Sequence, residues 1–302
     1  MRQGVIDIGS NSVKLLIVDS VDHQIYPVTE IASQTRLGQG LYNKCAQLQP
    51  DAIEATSVAV NDFIKLAESE GVEKLRLIAT SAVREASNAS QLLAMIDQPV
   101  SILSGDDEAR FSFFGVMTDS RFTQNNLLVV DAGGGSTEFT SGNSGGVARY
   151  RSISLGSVRL MESFSVNDPP INDQLEALRN IIDVQLRQVV CSDHWKRKSD
   201  FHLVGVGGVA TILAMMELSI EVFDRKEIEK VTLSREQAVK WSEKLWSLPL
   251  AQRKNICGLP ANRADVALYG CLIYERIMLG LGYDHLLIST RGVRFGALAD
   301  NI

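Results

Sequence analysis

The sequence predicts an α/β protein of two domains, each built from a central sheet with helices packed on it. Its length of 302 residues exceeds what one typical hydrophobic core holds. Short apolar runs, typical of buried strands, alternate with longer amphipathic segments, typical of helices. One strand-turn-strand pattern occurs twice, at residues 5–18 and 127–139, which indicates two duplicated halves that face each other across a cleft.

The composition is that of a globular protein and excludes several classes. Apolar residues make up 45% and charged residues 22% of the chain. The net charge of −6 disfavours nonspecific binding to nucleic acid, so affinity for a phosphate would need a focused site. The sequence has no long uncharged apolar run, and its first apolar segment contains Asp7, Asn11 and Lys14, so we expect neither a membrane span nor a signal peptide.

The four cysteines are scattered, with no Cys-x-x-Cys pair: Cys45, Cys191, Cys257 and Cys271. This spacing argues against a zinc site or a disulfide framework and predicts a reducing cytoplasm.

A glycine-rich turn follows the apolar run at 127–130 and is flanked by two acids. In chain order the turn contributes Asp131, Gly133, Gly134, Gly135, Ser136 and Glu138. Glycines let the backbone approach a ligand closely, and consecutive N–H groups in such a turn bind anions. Carboxylate oxygens suit a hard divalent cation. The pattern predicts a site for phosphate and metal, although an ordinary hairpin with a solvated Glu138 has the same local sequence.

The N-terminal strand pair repeats this plan and favours the ligand site over the hairpin. Asp7 stands five residues before Ser12, just as Asp131 stands five residues before Ser136. Two such turns, with Asn11 between the acid and the serine of the first, would hold a polyphosphoryl group and its metal between them.

The rest of the first half predicts a sheet covered by helices. Strands are expected at 4–18 (a pair), 24–31, 75–80 and 100–103, and helices from Pro50 to Gly71 and from 104 to 117. Polar turns after strands are where α/β folds place ligand residues.

Arg84 follows the strand at 75–80 and is a candidate phosphate contact, since a guanidinium forks onto phosphate oxygens. A pairing of Arg84 with Glu85 on a solvated helix face is the alternative. Arg36 lies in a turn-rich segment and either reaches a phosphate or belongs to a solvated loop. Asp106 and Asp107 fit the first turn of a helix, where the helix dipole favours acids, and spacing alone does not select their neighbour Glu108.

The polar segment 119–126 predicts the domain boundary, which gives domains at 1–119 and 120–302, with the terminal helix at 291–302 returning to the first domain. The second half is expected to hold a hairpin at 141–146, helices at 155–160, 171–190, 234–248 and 266–279, and strands at 201–206 and 286–289. Gly207 and Gly208 follow a strand and open a helix, so they form a third candidate anion cradle. Close helix packing is the alternative reason for these two glycines.

Taken together, these motifs resemble the exopolyphosphatase/guanosine pentaphosphate phosphatase family. The segments that carry the resemblance run in order along nearly the whole chain: Asp7–Ser12, Ala79–Ala86, Ser104–Arg110, Asp131–Glu138, Ser154–Leu160, Gly205–Gly208 and Arg263–Asp265. The resemblance implies the duplicated ribonuclease-H-like fold of the actin, sugar-kinase and heat-shock ATPase superfamily, with mixed sheets and an interdomain cleft.

The resemblance also implies roles for individual residues. Glu108 corresponds to the residue that activates water, and Asp131 and Glu138 correspond to the acids linked to Mg²⁺, with Asp7 nearby. The remaining implied residues match the phosphate cradle: Asn11, Ser12, Arg84, Gly133, Gly134, Gly135, Ser136, Gly207 and Gly208.

We therefore expect a Mg²⁺-dependent enzyme that releases orthophosphate from the end of inorganic polyphosphate. Hydrolysis of guanosine pentaphosphate at the same site is the nearest alternative. An ATP-using kinase of the sugar or acetate type, or an actin-like assembly module, is more remote. The chain resembles the short two-domain form of the family, without the appended C-terminal domains that help other members to grip long polymers. A homodimer is common among relatives.

Overall fold

A computed structural model describes residues 1–21, 24–42, 46–192, 195–197 and 200–299. Of the four cysteines, Cys45 lies outside the described residues. The chain divides into two compact units. Unit 1 comprises Met1–Ser120 together with the chain from Arg291 onward, and unit 2 comprises Arg121–Thr290.

Unit 1 contains five strands and five helices among its described residues. The strands are β1 (Arg2–Ile8), β2 (Val13–Val21), β3 (Gln24–Ser33), β4 (Lys74–Ala79) and β5 (Val100–Ile102). The helices are α1 (Pro50–Ser69), α2 (Ser81–Glu85), α3 (Ala89–Leu93), α4 (Gly105–Met117) and, from the end of the chain, α12 (Val293–Ala299). Pro50 is the first residue of α1. Proline is favoured there because the first N–H of a helix has no partner within the helix and because the ring holds φ near the helical value.

The sheet of unit 1 has the order β3-β2-β1-β4-β5. Its first three strands are antiparallel neighbours, whereas β4 and β5 continue parallel to β1. Successive side chains of a strand point to opposite faces. Leu15 and Ile17 therefore enter one core beside α1, while Leu16 and Val18 enter another with α4 and α12. The unbroken apolar run of β2 follows from this burial on both faces.

Unit 2 contains six strands and seven α-helices among its described residues. The strands are β6 (Asn126–Ala132), β7 (Thr137–Asn143), β8 (Gly146–Ile153), β9 (Phe201–Val206), β10 (Thr232–Ser234) and β11 (His285–Ile288). The helices are α5 (Ser157–Ser163), α6 (Asn172–Val190), α7 (Gly207–Leu218), α8 (Arg225–Ile228), α9 (Arg235–Ser247), α10 (Leu250–Arg253) and α11 (Ala267–Leu281), and a 3₁₀ turn spans Ala261–Arg263.

The second sheet repeats the first. Its order is β10-β11-β9-β6-β7-β8. Read from β8, the run β8-β7-β6-β9-β11 has the same sequence of antiparallel and parallel pairings as β3-β2-β1-β4-β5. The extra strand β10 pairs antiparallel with β11. The predicted duplicated α/β fold with two mixed sheets is therefore confirmed.

The core of unit 2 is built around α11. This helix is buried along most of its length, because β6 and helices α5, α6, α7 and α9 all pack against it. Among the described helices, none combines the length and apolar character that a membrane crossing requires. The described cysteines Cys191, Cys257 and Cys271 are free thiols.

Candidate active site

The two strand-turn-strand motifs adopt the same local geometry. In unit 1 the N–H of Gly9 donates to the carbonyl of Ser12 at 3.1 Å, and in unit 2 Gly133 donates to Ser136 at 2.9 Å. A Cβ on Gly9 would lie 3.2 Å from the Ser12 carbonyl oxygen, and one on Gly133 would lie 3.1 Å from that of Ser136. The equivalence that the spacing predicted therefore extends to the backbone.

In unit 2 the start of α5 binds the carbonyls of the glycine turn. The N–H groups of Ser157 and Val158 donate to the carbonyls of Gly133 and Gly134 at 3.0 and 2.9 Å. The Arg159 Nε donates to the Gly135 carbonyl at 2.7 Å. The first N–H groups of a helix have no partner within the helix, so α5 uses them to fix the orientation of the turn.

The close approach of α5 depends on Gly156. A Cβ on Gly156 would lie 2.3 Å from the Gly134 carbonyl oxygen, which no side chain tolerates. The segment Ser154–Leu160 therefore positions the glycine turn, a function that its sequence did not reveal.

With its carbonyls bound to α5, the turn leaves its amides open. Within the described residues, no acceptor binds the N–H groups of Gly134, Gly135 and Ser136, or the Ser136 hydroxyl. Ser136 is 4% exposed, so a ligand would reach it in a largely desolvated setting. Three consecutive open N–H groups form a concavity that suits a phosphoryl oxygen.

In unit 1 the segment that follows β3 binds the carbonyls of the turn, as α5 does in unit 2. The N–H of Arg36 donates to the Asn11 carbonyl at 3.1 Å, and that of Gly38 donates to Ser10 at 2.7 Å. In the described part of the chain, the N–H groups of Ser10 and Asn11 have no acceptor. This turn therefore presents amides as well, next to the hydroxyl of the predicted cradle residue Ser12.

Gly207 and Gly208 open α7, whose N-terminus has no side-chain cap. Gly207 adopts a φ of +81°, which explains the glycine there. The guanidinium of Arg263 packs against Gly208, since a Cβ at that position would lie 2.6 Å from Arg263 Nη1. Burial lowers the pKa of Arg263. The sequence indicated Arg263 only as part of the Arg263–Asp265 motif, and its place beside a helix N-terminus is a tertiary result.

The two acids of unit 2 share one face of the sheet. Asp131 and Glu138 are direct partners in the β6–β7 ladder, and side chains of such partners lie side by side. Glu138 is 2% exposed and accepts a hydrogen bond from Ser152 Oγ at 2.7 Å. Asp131 Oδ1 lies against Gly207, where a Cβ would come within 2.3 Å of it. The glycine at 207 thus makes room for the carboxylate.

A buried tyrosine, Tyr274, forms hydrogen bonds to the ends of both β6 and β9, next to Asp131 and Gly207. The Tyr274 hydroxyl lies 3.0 Å from the carbonyl oxygens of both Val130 and Val206. These residues immediately precede Asp131 and Gly207. The hydroxyl therefore helps to fix the relative position of the acid and the start of α7.

Asp7 occupies in unit 1 the position that Asp131 has in unit 2, but its ladder partner is Lys14 in place of an acid. Asp7 Oδ1 is buried and accepts no hydrogen bond within the described residues. Burial raises the pKa of the Asp7 carboxyl, while the charges of Lys14 and Arg294 oppose this shift. An orphaned carboxylate oxygen fits a role as a ligand of a cation or of its bound water.

Within the described residues, no group of three or more His, Cys, Asp or Glu side chains is arranged to hold a metal. Mg²⁺ commonly keeps several waters and binds through one or two carboxylates plus substrate phosphates. The chemistry of Asp131, Glu138 and Asp7 therefore fits Mg²⁺, and their assignment as its ligands stays a prediction.

Glu108 lies in the first turn of α4, which Ser104 caps by accepting from the Asp107 N–H at 3.1 Å. The Glu108 side chain is nearly buried and pairs with Arg84, whose Nη1 is 3.0 Å from Glu108 Oε2. The same Nη1 donates to the Leu103 carbonyl at 2.8 Å. The structure therefore brings Arg84 to Glu108, and the alternative pairing of Arg84 with Glu85 is wrong. A carboxylate held in one orientation by a guanidinium is suited to orient water.

We expect Asp7→Asn to raise the free energy of unfolding of the metal-free protein by about 1 kcal/mol at pH 7. A carboxyl whose pKa is higher in the folded than in the unfolded state destabilises the fold above both values, and the amide removes this cost. The gain should vanish as the pH falls below the ordinary pKa of 3.8. Urea unfolding at several pH values measures it. A variant less stable than wild type at pH 7 would mean that the fold depends on the carboxylate.

Known proteins of one phosphatase family are similar to this chain over nearly its whole length. The model of the Ppx/GppA phosphatase family matches residues 16–302. A bifunctional 3-dehydroquinate synthase/phosphatase from Fusobacterium nucleatum is 31% identical over 98% of this chain, which spans only 46% of that protein. Exopolyphosphatase 2 of Mycobacterium tuberculosis is 28% identical, with 98% of this chain and 97% of that protein covered. The crystal structure of the Aquifex aeolicus member of the Ppx/GppA family superposes with a TM-score of 0.83 at 30% identity, covering 100% of this chain and 97% of that one.

Proposed function

Because the chain belongs to the Ppx/GppA phosphatase family, we propose that it is an exopolyphosphatase, which hydrolyses the terminal phosphoanhydride of inorganic polyphosphate and releases orthophosphate. The observation that carries the proposal is the set of open backbone amides at Gly134, Gly135 and Ser136, which the start of α5 orients. With a net charge of −6, the protein as a whole does not attract a polyanion. Binding of polyphosphate therefore needs a local site of directed N–H groups.

Glu108 acts as the general base in this proposal. Its carboxylate accepts a proton from the water that attacks the terminal phosphorus, while the ion pair with Arg84 fixes its orientation. The bond that forms joins the water oxygen to phosphorus, and the bond that breaks joins phosphorus to the bridging oxygen. Phosphoryl transfer depends mainly on positioning and on neutralisation of charge, which the amide cradles and arginines supply.

Asp131 and Glu138 of unit 2 would hold Mg²⁺, partly through water, and Asp7 is the candidate metal ligand of unit 1. When bound, Mg²⁺ neutralises negative charge on the phosphoryl oxygens. The buried position of Glu138 and its hydrogen bond from Ser152 keep its carboxylate in one orientation. We infer that the remaining cradle residues Asn11, Ser12, Gly207 and Gly208 bind phosphoryl oxygens through backbone and side-chain donors. Gly133, whose N–H already donates to the Ser136 carbonyl, shapes the turn instead.

Guanosine pentaphosphate is the competing substrate, because it presents the same terminal phosphoanhydride and would need the same cradle and base. The proposal also includes a homodimer in the cytoplasm that acts without a nucleic-acid or membrane partner. The scattered cysteines support the cytoplasmic location, and the net charge of −6 disfavours nucleic acid as a partner. The homodimer is supported by the family.

The test is phosphate release from short-chain polyphosphate, long-chain polyphosphate, guanosine pentaphosphate and ATP, each with Mg²⁺ and then with EDTA. We expect metal-dependent release from polyphosphate, faster on short than on long chains. Release from guanosine pentaphosphate alone would overturn the proposal in favour of the competing substrate. Turnover of ATP that requires a sugar or carboxylate acceptor would overturn hydrolysis itself.

A further inference from the structure

The segment that forms hydrogen bonds to the turn of unit 1 contains a residue with an unusual backbone conformation. Arg36 has a φ of +52°, in the left-handed region. Residues other than glycine and asparagine seldom adopt this conformation, which costs roughly 1–2 kcal/mol. Such strain persists only where the surroundings impose it, and it concentrates at functional sites.

The residues on either side of Arg36 impose this strained conformation. The flanking residues Thr35 and Leu37 are both buried, and Leu37 belongs to the core beneath α1. The Thr35 hydroxyl accepts a hydrogen bond from Thr56 Oγ1 of α1 at 2.9 Å. Arg36 is therefore a half-buried cation between two anchored neighbours, and its position along the chain is tightly determined.

The same segment is bound to the candidate cradle. Besides the bond from the Arg36 N–H to the Asn11 carbonyl at 3.1 Å, the side chain of Gln34 donates to Asn11 Oδ1 at 3.3 Å. On the other side, a Cβ on Gly38 would lie 3.0 Å from Ser10 Cβ, so the two backbones are in close contact. Arg36 is thus held at the turn whose amides at Ser10 and Asn11 are open.

Arg36 adds a positive charge to the segment that binds this turn. Ser10, Asn11 and Ser12 carry no charge, Asp7 is acidic, and Lys14 faces Asp7 across the hairpin. A positive charge beside these amides favours a polyanion, and a guanidinium binds phosphate through two parallel hydrogen bonds. We propose that Arg36 is a substrate-binding residue, whose guanidinium contacts a phosphoryl oxygen of the polyphosphate chain at the Ser10–Ser12 turn. The proposal rests on the proposed function.

Three substitutions separate binding from structure. Arg36→Asn removes the guanidinium, while asparagine tolerates the left-handed conformation better than arginine does. Arg36→Lys keeps the charge but loses the two-pronged geometry. Arg149→Asn, on the exposed part of β8 in unit 2, changes the net charge equally and is the control.

Tripolyphosphate with Mg²⁺ is the probe, and calorimetric Kd, kcat, KM and the melting temperature are the measurements. We expect Arg36→Asn to raise Kd and KM about tenfold or more, as loss of a charged hydrogen bond does, with kcat changed less than about threefold. Arg36→Lys should fall between Arg36→Asn and wild type. Arg36→Asn should melt no lower than wild type, and Arg149→Asn should bind as wild type does.

An unchanged Kd in Arg36→Asn would overturn the proposal, as would equal losses in Arg36→Lys and Arg36→Asn accompanied by a lower melting temperature, which indicate a structural role. Tripolyphosphate that binds to wild type without turnover would refute the proposed hydrolysis alone, and the Kd of the variants would still decide the role of Arg36. A wild-type protein that does not bind tripolyphosphate would overturn both proposals.

Discussion

Glu108→Gln is expected to lower phosphate release from polyphosphate by about a thousandfold, since general-base catalysis contributes roughly 10²–10⁴ in rate. The amide of glutamine keeps the size of the side chain and can still accept the hydrogen bond from Arg84 Nη1 that now spans 3.0 Å. It cannot take a proton from water. The loss should therefore appear in kcat, whereas the Kd for tripolyphosphate and the melting temperature should stay near those of wild type.

The measurement is initial-rate phosphate release at saturating polyphosphate and Mg²⁺. Glu54→Gln, on the exposed face of α1, makes the same chemical change away from the site and should leave the rate unaltered. Near-wild-type hydrolysis by Glu108→Gln would remove Glu108 from the role of base. A large drop in melting temperature would instead identify the Arg84–Glu108 pair as mainly structural.

Gly207→Ala is expected to reduce phosphate release at least about a hundredfold and to raise the Mg²⁺ concentration needed for half-maximal rate. The new methyl group would meet Asp131 Oδ1 at 2.3 Å, so the carboxylate must move. Misplacement of a catalytic group by about 1 Å can cost on the order of 10² in rate. The substitution also disturbs the start of α7, where the Gly207 and Gly208 amides are proposed to bind phosphoryl oxygens.

Gly282→Ala separates this steric effect from backbone strain. Gly282 ends α11 with a φ of +77°, close to the +81° of Gly207, but a Cβ there would have nothing within 4 Å. Both variants should lose roughly 1–2 kcal/mol of stability because alanine is strained at positive φ. Only Gly207→Ala should lose activity. Equal activity in the two variants would show that the position of Asp131 does not matter for turnover.

Local sequence determined the strands, the glycine turns and the duplication. A buried strand, a tight turn and a helix cap depend on residues within a few positions of one another, so their signals survive in a single sequence. The equivalence of Asp7–Ser12 and Asp131–Ser136 is therefore recognisable from the sequence alone. The acids that the family resemblance implied at Asp131 and Glu138 prove to be ladder partners because the short turn sets the register.

Tertiary structure alone decided which distant residues support those turns. The Gly156 backbone and the amides of α5 bind the Gly133–Gly135 turn, and the segment around Arg36 binds Asn11. Arg84 reaches Glu108 across a gap of 24 residues. Such contacts depend on how the chain closes large loops and packs its cores, and the residues involved have no special spacing. The sequence by itself therefore determined which groups are chemically able to bind phosphate, and the packing of each unit determined which of their hydrogen-bonding atoms remain open to it.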